Sequence, residues 1–418
     1  MRPKLLLVTY ATPMANATAS RRWKDMFKIV SQSFEVHVFT VKSGDDNQDN
    51  INLNYEQYLA SIYYSDHTTM FSQTNNPQKG EPRSFHRQLI RWFTKDIYTI
   101  DRTITEWFFP NKKKFLEIVD QIKPDILITS IGPFSSALFG WLAKKKHDSV
   151  YWVADFRDSI SLLHQQKRSV WSVWIDQLID RYFLKKANFI LSVSQTLTTI
   201  LAEFYQKQSA VIYNGFSLEN KVKKSVHVMA NQNQTVRLYY SGIIYNHQID
   251  SFVYLLNGLK RIDINYQLLI RLIGTQKEYK NVTQKIAEKG LADHVKVLPP
   301  TTHEIVKQEQ SKADILIILE ALDNSDLVSK GTLTSKLGEY LPEAGSIMAI
   351  CRSDSDIKTI LDETGRGDVV SSEEEVHYFL KHYLQFYGIK NQAISSFSRE
   401  FQAQKVSEIL KAELAKYL

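Results

Sequence analysis

Residues 314–320 read DILIILE, an apolar run of strand length. A run without polar alternation is typical of a strand that is covered on both faces, as strands of parallel sheets are. Comparable runs recur along the chain, with helical patterns between them, at 4–10, 35–40, 125–130, 149–155, 188–194, 236–241, 267–274, 295–298 and 346–351. This alternation of strand and helix predicts an α/β fold of the doubly wound type.

The runs form two groups, separated by a polar segment at 217–235 that is rich in Lys, Asn and Gln and predicts a linker. We therefore expect two Rossmann-like domains, 1–215 and 216–395, each with a parallel sheet. Residues 396–418 are expected to form a helix that packs back toward the first domain. A single larger sheet is the alternative. Ligands of such sheets bind at the carboxyl ends of the strands, which predicts a site in the cleft between two facing domains.

Composition narrows the class of protein. The 418 residues include one cysteine, Cys351, which argues against a disulfide scaffold or a Cys-based zinc site and fits a reducing compartment. The longest apolar runs are too short for a membrane span, and the N-terminal pattern does not fit a secretory signal. We therefore expect a cytoplasmic protein. Its net charge of +7 comes entirely from residues 1–215, which contain 27 Lys and Arg residues and 20 Asp and Glu residues.

A basic amphipathic helix is predicted over 83–109, and Pro110 is expected to end it. Its apolar stripe consists of Leu89, Phe93, Ile97, Ile100, Ile104 and Trp107. The basic ridge beside the stripe consists of Arg83, Arg87, Arg91 and Lys95. Helices of this kind bind anionic membrane surfaces, so the ridge predicts peripheral contact with the inner face of a membrane. The alternative is a core-facing stripe with a solvated basic back. Nucleic acid is not expected, since no recognition motif accompanies the charge.

Standard nucleotide and hydrolase motifs (GxGxxG after the first strand, Walker A, GxSxG, HExxH) are missing from the sequence. Two other segments suggest a phosphate site. Gly242 ends the strand at 236–241 and lets a ligand approach the backbone, although an ordinary tight turn is the alternative explanation. In GTLTSKLGEYL (331–341), Thr334 and Ser335 open a helix whose free amides favour a phosphate. Lys336 adds a positive charge and Glu339 lies on the same side, as in many surface Lys–Glu pairs.

The order of five segments resembles that of the GT-B glycosyltransferases, in particular the retaining group called family four. The resemblance covers nearly the whole chain. The segments are KPDILITSIGPFSS (123–136), VADFRD (153–158), ANFILSVS (187–194), VIYNGF (211–216) and KLGEYL (336–341). The second of them resembles a sequence of the envelope-polysaccharide members.

The resemblance implies transfer of a sugar, with retention of configuration, from a nucleotide diphosphate-sugar held by 216–395 to an acceptor held by 1–215. The acceptor would be a saccharide, a lipid-linked sugar or a protein in surface polysaccharide or glycoconjugate synthesis, and neither cofactor nor metal is implied. The implied donor-binding residues are Gly242, Ile243, Tyr245, Gly274, Leu298, Pro299, Thr334, Ser335, Lys336 and Glu339. The implied acceptor-binding residues are Ser20, Arg21, Ser130, Arg157 and Asp158. Catalytic roles fall to Lys336 at the diphosphate, Glu339 at the ribose and Asp155 at the acceptor hydroxyl.

The sequence departs from the family pattern in three places. Gly331 stands where a second Glu is usual, and residues 246–248 (NHQ) replace a basic pair, which shifts weight to Lys336 or His247. In the segment after the helix, residues 342–346 (PEAGS), the glycine is shifted by one position and the usual proline is missing. A DxD spelling at Asp354 is expected to cap the next helix rather than to bind a metal. A nucleotide-sugar 2-epimerase of the same fold and a non-catalytic, membrane-docking subunit remain the alternatives.

Overall fold

Two separate parallel sheets organise the chain, so the alternative of a single larger sheet is wrong. The computed structural model describes residues 2–11, 22–42, 54–68, 97–158, 161–162, 168–217, 235–323, 327–388 and 393–418. These residues form two compact units: unit 1 comprises Met1–Asn214 with Arg399–Leu418, and unit 2 comprises Gly215–Ser398. Most of the predicted linker, residues 218–234, lies outside the described residues.

The sheet of unit 1 has seven strands in the order β3-β2-β1-β4-β5-β6-β7. They are β1 Lys4–Thr9, β2 Glu35–Lys42, β3 Ser61–Thr68, β4 Ile126–Ile131, β5 Tyr151–Phe156, β6 Phe189–Ser192 and β7 Gln208–Val211. The five central strands match the predicted apolar runs. Both unpredicted strands, β3 (SIYYSDHT) and β7 (QSAV), lie at the edges of the sheet. Edge strands are less covered and need no continuous apolar run, so their sequences lack the signal.

Helices cover this sheet on both faces. They are α1 Phe27–Ser33, α2 Phe109–Ile122, α3 Ser135–Lys146, α4 Val170–Leu184 and α5 Gln195–Tyr205. The core of one face gathers apolar residues of β1, β2, β4 and β5 together with those of α1. No helix in the described part of the chain combines the length and the apolar character that a bilayer span requires.

The predicted helix over 83–109 is corrected in its described part. Residues 97–101 are not helical, and the helix runs from 102 to 122 through a π-helical turn, Ile104–Phe108, into α2. Pro110 therefore does not end the helix, because it lies in the first turn of α2, where the missing N–H costs nothing. Ile97 and Trp107 are buried, as the alternative of a core-facing stripe requires, whereas Ile100 is exposed. The basic ridge, Arg83 to Lys95, lies outside the described residues and stays a prediction.

The sheet of unit 2 has six strands in the order β10-β9-β8-β11-β12-β13. They are β8 Val236–Gly242, β9 Tyr266–Leu272, β10 Val295–Leu298, β11 Ile315–Leu319, β12 Ser346–Ile350 and β13 Gly367–Val370. The first five were predicted. The sixth, β13, is a short edge strand that begins with Gly367, where a Cβ atom would lie 1.8 Å from the Ile347 carbonyl oxygen. Only glycine permits so close a backbone approach.

The helices of unit 2 alternate with its strands and complete the doubly wound arrangement. They are α6 Ile249–Lys260, α7 Gln276–Glu288, α8 His303–Ser311, α9 Leu327–Lys330, α10 Ser335–Tyr340, α11 Asp356–Thr364, α12 Glu373–His382 and α13 Ala393–Ser396.

The last helix, α14 Arg399–Tyr417, belongs to unit 1. Its buried residues Ala403, Val406, Leu410 and Leu414 join the core that contains α1 and β1. Polar contacts fix its ends. The Arg399 guanidinium donates to the Asn214 carbonyl at 3.0 Å, and the Lys144 ammonium donates to the Tyr417 hydroxyl at 2.6 Å. The helix therefore closes the core of unit 1 from the far end of the sequence.

Replacing Leu410 by alanine should destabilise unit 1. The side chain is fully buried, so its truncation removes apolar contacts and leaves a cavity, at a cost of about 2–5 kcal/mol in the free energy of unfolding. Urea unfolding followed by tryptophan emission measures this, since all seven tryptophans lie within residues 1–214. Glu408→Ala, at an exposed position of the same helix, is the matched control. Equal unfolding curves for the two variants would contradict the assignment of α14 to the core.

Candidate functional site

The topological switch point of unit 2 lies between β8 and β11, because the strand order runs outward from this pair in both directions. In open α/β sheets, ligands bind beside the carboxyl ends of the strands at such a point. Gly242 ends β8 there, and Glu320 directly follows β11. Gly242 and the carboxylate of Glu320 therefore flank the position where this fold accepts ligands.

Lys336 of α10 reaches this switch point. A Cβ atom built on Gly242 would lie 2.9 Å from Cε of Lys336 and 3.0 Å from its Nζ. Gly242 also has a φ of +129°, a backbone conformation that other residues rarely adopt. The Lys336 ammonium additionally lies 5.1 Å from the centroid of the Tyr240 ring, within cation–π range. The structure thus brings together Gly242 and Lys336, which the sequence assigned to one site from positions 94 residues apart.

The charge of Lys336 is held in a poorly solvated place. Burial lowers the pKa of its ammonium, and the carboxylates of Glu320 and Glu339 oppose that shift. Burial likewise raises the pKa of Glu320, against the opposing effect of Lys336. A partly dehydrated ammonium interacts more strongly with an anion than a solvated one does, because little water must be displaced. The group is suited to bind a phosphate.

Glu320 was not recognised from the sequence as a site residue. Its carboxylate accepts a hydrogen bond from the Gln248 side-chain amide at 3.3 Å, and its backbone carbonyl accepts one from the Ser251 hydroxyl. Gln248 in turn accepts from the backbone amide of Tyr245 at 3.0 Å. A signal was present in DILIILE, where a single carboxylate follows five apolar residues at the carboxyl end of a strand.

One backbone amide and one backbone carbonyl after Gly242 already take part in hydrogen bonds. The Tyr245 amide is already bonded to Gln248, and the Ile243 carbonyl accepts from the Tyr240 hydroxyl at 2.7 Å. Tyr245 nevertheless projects its side chain into solvent and stacks on His247, with ring centroids 5.5 Å apart and planes within 7°. The two rings form a stacked pair after the end of β8, and a role of His247 in place of the basic pair stays a prediction.

The helix that carries Lys336 is short. α10 has six residues, with Thr334 at its N-cap and Ser335 as its first residue, and the Thr334 side chain makes no capping hydrogen bond. A helix of this length contributes only a small dipole, so the cationic side chain rather than the helix end supplies most of the positive potential. Glu339 lies one turn further and accepts from the Gln310 side-chain amide at 3.2 Å.

The remaining predicted donor residues lie at the same edge of the sheet. Leu298 ends β10, and its carbonyl accepts from the Tyr279 hydroxyl at 2.9 Å. The Pro299 carbonyl accepts from Arg271 at 3.1 Å, and the Arg271 guanidinium is itself paired with Glu309. Gly274 is exposed and follows β9, directly after the Ile273 amide that donates to the Gly242 carbonyl at 3.1 Å. These contacts hold the loops after β9 and β10 in defined positions.

In unit 1, Asp155 lies near the carboxyl end of β5 and is completely buried. Arg22 binds both carboxylate oxygens, at 2.8 and 3.1 Å, and the Trp23 indole donates to one of them at 2.8 Å. Arg22 also donates to the Ile212 carbonyl at 2.7 Å and to the Asn214 side chain at 3.0 Å. With its oxygens so occupied, Asp155 can fix Arg22 and the 212–214 segment rather than reach a substrate.

Arg157 and Ser130 lie at the same edge of the sheet as Asp155. Ser130 is buried in β4, next to the switch point between β1 and β4. Arg157 donates to the Gly132 carbonyl, while its Nε is buried without a hydrogen-bond partner among the described residues. Burial lowers the pKa of this guanidinium. Asp158 is exposed, and Ser20 and Arg21 lie outside the described residues. Among the described acceptor candidates, Arg157 has a buried donor, its Nε, without a hydrogen-bond partner.

The DxD segment does cap the next helix, through Ser355 rather than through Asp354. Ser355 caps α11, and its side chain accepts from the Lys358 amide. Asp354 is paired with Arg352 at 2.6 Å. Within the described residues, no group of three or more His, Cys, Asp or Glu side chains is arranged to hold a metal ion, and independence of metal stays a prediction.

Replacing Asp155 by alanine should destabilise unit 1. The change leaves the Arg22 guanidinium buried without its ion partner, which costs about 3–5 kcal/mol. Urea unfolding followed by tryptophan emission provides the measurement, with the exposed Asp158→Ala as the control. The double variant Arg22→Met/Asp155→Leu should recover most of the loss, because no charge remains buried. An Asp155→Ala variant as stable as the wild type would contradict the structural role.

No protein-family model matches the sequence, and a comparison with curated proteins finds no match either. Solved structures do resemble this one. The sucrose-phosphate synthase of Thermosynechococcus elongatus is 12% identical with a TM-score of 0.67, covering 99% of this chain and 100% of its own. HepE of Anabaena in complex with UDP is 14% identical with a TM-score of 0.64, covering 99% and 100%.

A chain from Listeria monocytogenes named as a UDP-N-acetylglucosamine 2-epimerase is 10% identical, with a TM-score of 0.54 and coverage of 100% and 98%. Identities this low establish the architecture alone. Two parallel α/β sheets of seven and six strands, matched over nearly the whole chain, show that this protein has the GT-B fold.

Proposed function

We propose that the protein is a glycosyltransferase whose unit 2 binds a nucleotide diphosphate-sugar. The observation that carries the proposal is the Lys336 ammonium placed against Gly242 at the switch point of the second sheet. A diphosphate fits this place, because it brings negative charge to a dehydrated cation and needs the backbone clearance that glycine provides. The HepE structures of the same fold contain UDP or UDP-glucose, which supports a nucleotide-sugar donor here.

In the proposed reaction, the bond between the sugar and the distal phosphate breaks while the acceptor oxygen bonds to the same sugar carbon. Lys336 neutralises the charge that develops on the departing nucleotide diphosphate. The leaving phosphate accepts the proton of the acceptor hydroxyl, so that attack on the same face retains the configuration. Glu339 accepts hydrogen bonds from the ribose hydroxyls. None of these residues needs to form a covalent intermediate.

Unit 1 is the proposed acceptor domain. Arg157 has a buried donor without a partner among the described residues, and it suits an acceptor with oxygen or phosphate groups. Asp155 is a positioning residue in this scheme, since it acts through Arg22 rather than on the acceptor itself. Surface polysaccharide or glycoconjugate synthesis is the process we propose for such a transfer.

An epimerase is the second candidate function. A chain named for that activity shares the fold, and Glu320, whose pKa burial raises, offers a proton-transferring group beside Lys336. The two functions differ in what they require. An epimerase changes a nucleotide-sugar that is supplied alone, whereas a transferase needs an acceptor before the donor is consumed. Product analysis of each nucleotide-sugar with and without an acceptor mixture separates them.

A nucleotide panel tests the donor site. UDP, GDP, ADP and CMP are compared by thermal shift, and one of them should stabilise the protein by about 2.7 kcal/mol at a hundredfold excess over its dissociation constant. Lys336→Gln should weaken that binding by about 10- to 100-fold, because a charge-assisted contact is lost. Lys312→Gln, an exposed lysine of the same unit, is the control.

Two results would contradict the donor site. One is a panel in which no nucleotide shifts the melting temperature of the wild type. The other is a Lys336→Gln variant that binds the nucleotide as tightly as the Lys312→Gln control does.

Nucleotide affinity should decrease at alkaline pH. The decrease should begin at a lower pH than it would for a lysine with an ordinary pKa. Only the protonated Lys336 attracts the diphosphate, and burial lowers the pKa of this group from its usual 10.5. Affinity is therefore present below the lowered pKa and is lost as the pH rises through it. In Lys336→Arg the alkaline loss should vanish, because a guanidinium stays charged. Calorimetric titrations from neutral to alkaline pH measure both proteins, and superimposable pH profiles would exclude Lys336 as the titrating group.

A further inference from the structure

Helix α4 (Val170–Leu184) is amphipathic, but its polar face is turned to the interior and its apolar face to solvent. Its buried residues are Ser172, Asp176, Asp180 and Leu184. Its outward face carries an apolar and aromatic row that we call the α4 stripe: Val170, Trp171, Trp174, Leu178 and Tyr182, exposed by 83, 73, 52, 47 and 54%. Scattered apolar residues on a surface are normal, whereas five on one helix face mark a site of interaction.

The acids on the inner face fix this orientation. The Asp176 carboxylate accepts from the backbone amides of Tyr98 and Thr99, each at 2.8 Å, and is paired with Arg168. Asp180 is buried beside Tyr205 of α5. Rotating the helix to bury the α4 stripe would break these bonds and leave charges without partners. The exposure of the stripe is therefore built into the packing of the helix.

Cations border the α4 stripe. The Lys185 ammonium lies 4.9 Å from the centroid of the Tyr182 ring, and Lys145 lies 5.1 Å from that of Trp141. The Trp141 ring packs at 6.4 Å from Tyr182, so both pairs belong to one patch. The two acids of α4 face inward, so the outward side of the helix presents aromatic rings and positive charge. Unit 1 as a whole carries 31 Lys and Arg against 23 Asp and Glu.

A groove of about 800 Å³ opens beside the stripe, between the C-terminal parts of α4 and α5. Leu178, Tyr182 and Phe204 contribute apolar walls, and Arg181 stands over the Phe204 ring at 4.2 Å. Glu203 is the carboxylate among the lining residues, which also include Lys185. An apolar groove with a guanidinium and an ammonium at its wall suits an amphiphile with an anionic head.

We propose that the α4 stripe and this groove dock unit 1 on a bilayer that contains anionic lipids. Trp and Tyr rings combined with flanking Lys and Arg are the composition found at the membrane–water interface. The charge around the stripe complements an anionic leaflet. The docking surface does not depend on the proposed sugar transfer, and it consists of residues other than the ridge of Arg83 to Lys95.

Vesicle binding tests the proposal on the full-length chain. Co-sedimentation uses vesicles of phosphatidylcholine and phosphatidylglycerol at two to one, with pure phosphatidylcholine for comparison. The wild type should bind the mixed vesicles and bind the neutral ones far less. Trp171→Ser/Trp174→Ser should weaken binding by about tenfold or more, because both rings leave the interface. Arg181→Gln/Lys185→Gln should weaken binding by about fivefold per charge, and only to the anionic vesicles.

Tyr378→Ser is the matched control, since Tyr378 is 61% exposed on α12 of unit 2. A second readout needs no variant: brominated lipids in the vesicles should quench part of the wild-type tryptophan emission, as only rings in contact with lipid are affected. Quenching should fall in Trp171→Ser/Trp174→Ser, in which Trp141 is the tryptophan of the patch that remains, and the fold of this variant is checked by circular dichroism.

Three results would overturn the proposal. One is no binding of the wild type to the anionic vesicles, and another is equal binding to anionic and neutral ones. The third is a concentration-dependent dimer in sedimentation velocity that disappears in Trp171→Ser/Trp174→Ser, because a second copy of the chain would then occupy the stripe.

Discussion

The candidate site depends on keeping one ammonium group partly out of water. Lys336 lies against Gly242 and the Tyr240 ring, with two carboxylates close enough to influence its charge. A cation in that position is costly when the site is empty, and an arriving anion relieves the cost. Several neighbouring features follow from this: the glycine at the end of β8, the half-buried Glu320 and the side-chain amide of Gln248 that orients it.

Unit 1 uses charge at the same edge of its sheet in a different way. Parallel strands covered on both faces leave their carboxyl ends as the place for polar groups. There Asp155 accepts hydrogen bonds from Arg22 and Trp23, and Arg22 extends the network to Ile212 and Asn214. Two residues after Asp155, at the end of the same strand, Arg157 has an Nε without a hydrogen-bond partner among the described residues. One edge of the sheet thus combines two kinds of charged group. The ion pair of Arg22 and Asp155 fixes nearby backbone, and the guanidinium of Arg157 has a donor left for a ligand.

Much of the fold was predictable because buried parallel strands have a direct signature, as in DILIILE and KLLLVTY. The edge strands β3, β7 and β13 were not predicted, because each pairs with only one neighbouring strand and needs no continuous apolar run. Within the site, Gly242 and Lys336 were found by residue type, whereas Glu320 required knowledge of which strands are adjacent. The orientation of α4, with its polar face buried and its apolar face exposed, could not be predicted from the sequence either. Periodicity shows that a helix has two faces, but the partners of Asp176 decide which face turns inward.

The closing helix α14 makes the order of synthesis matter. Ala403, Val406 and Leu410 belong to the same core as Leu5 and Leu7, so nearly four hundred residues separate its two contributors. Unit 2 is continuous from Gly215 to Ser398, so all of it is synthesised before α14. On the ribosome, the domain begun first is therefore the one finished last. Until α14 is made, the apolar surface that it will cover on β1 and α1 stays open to chaperones.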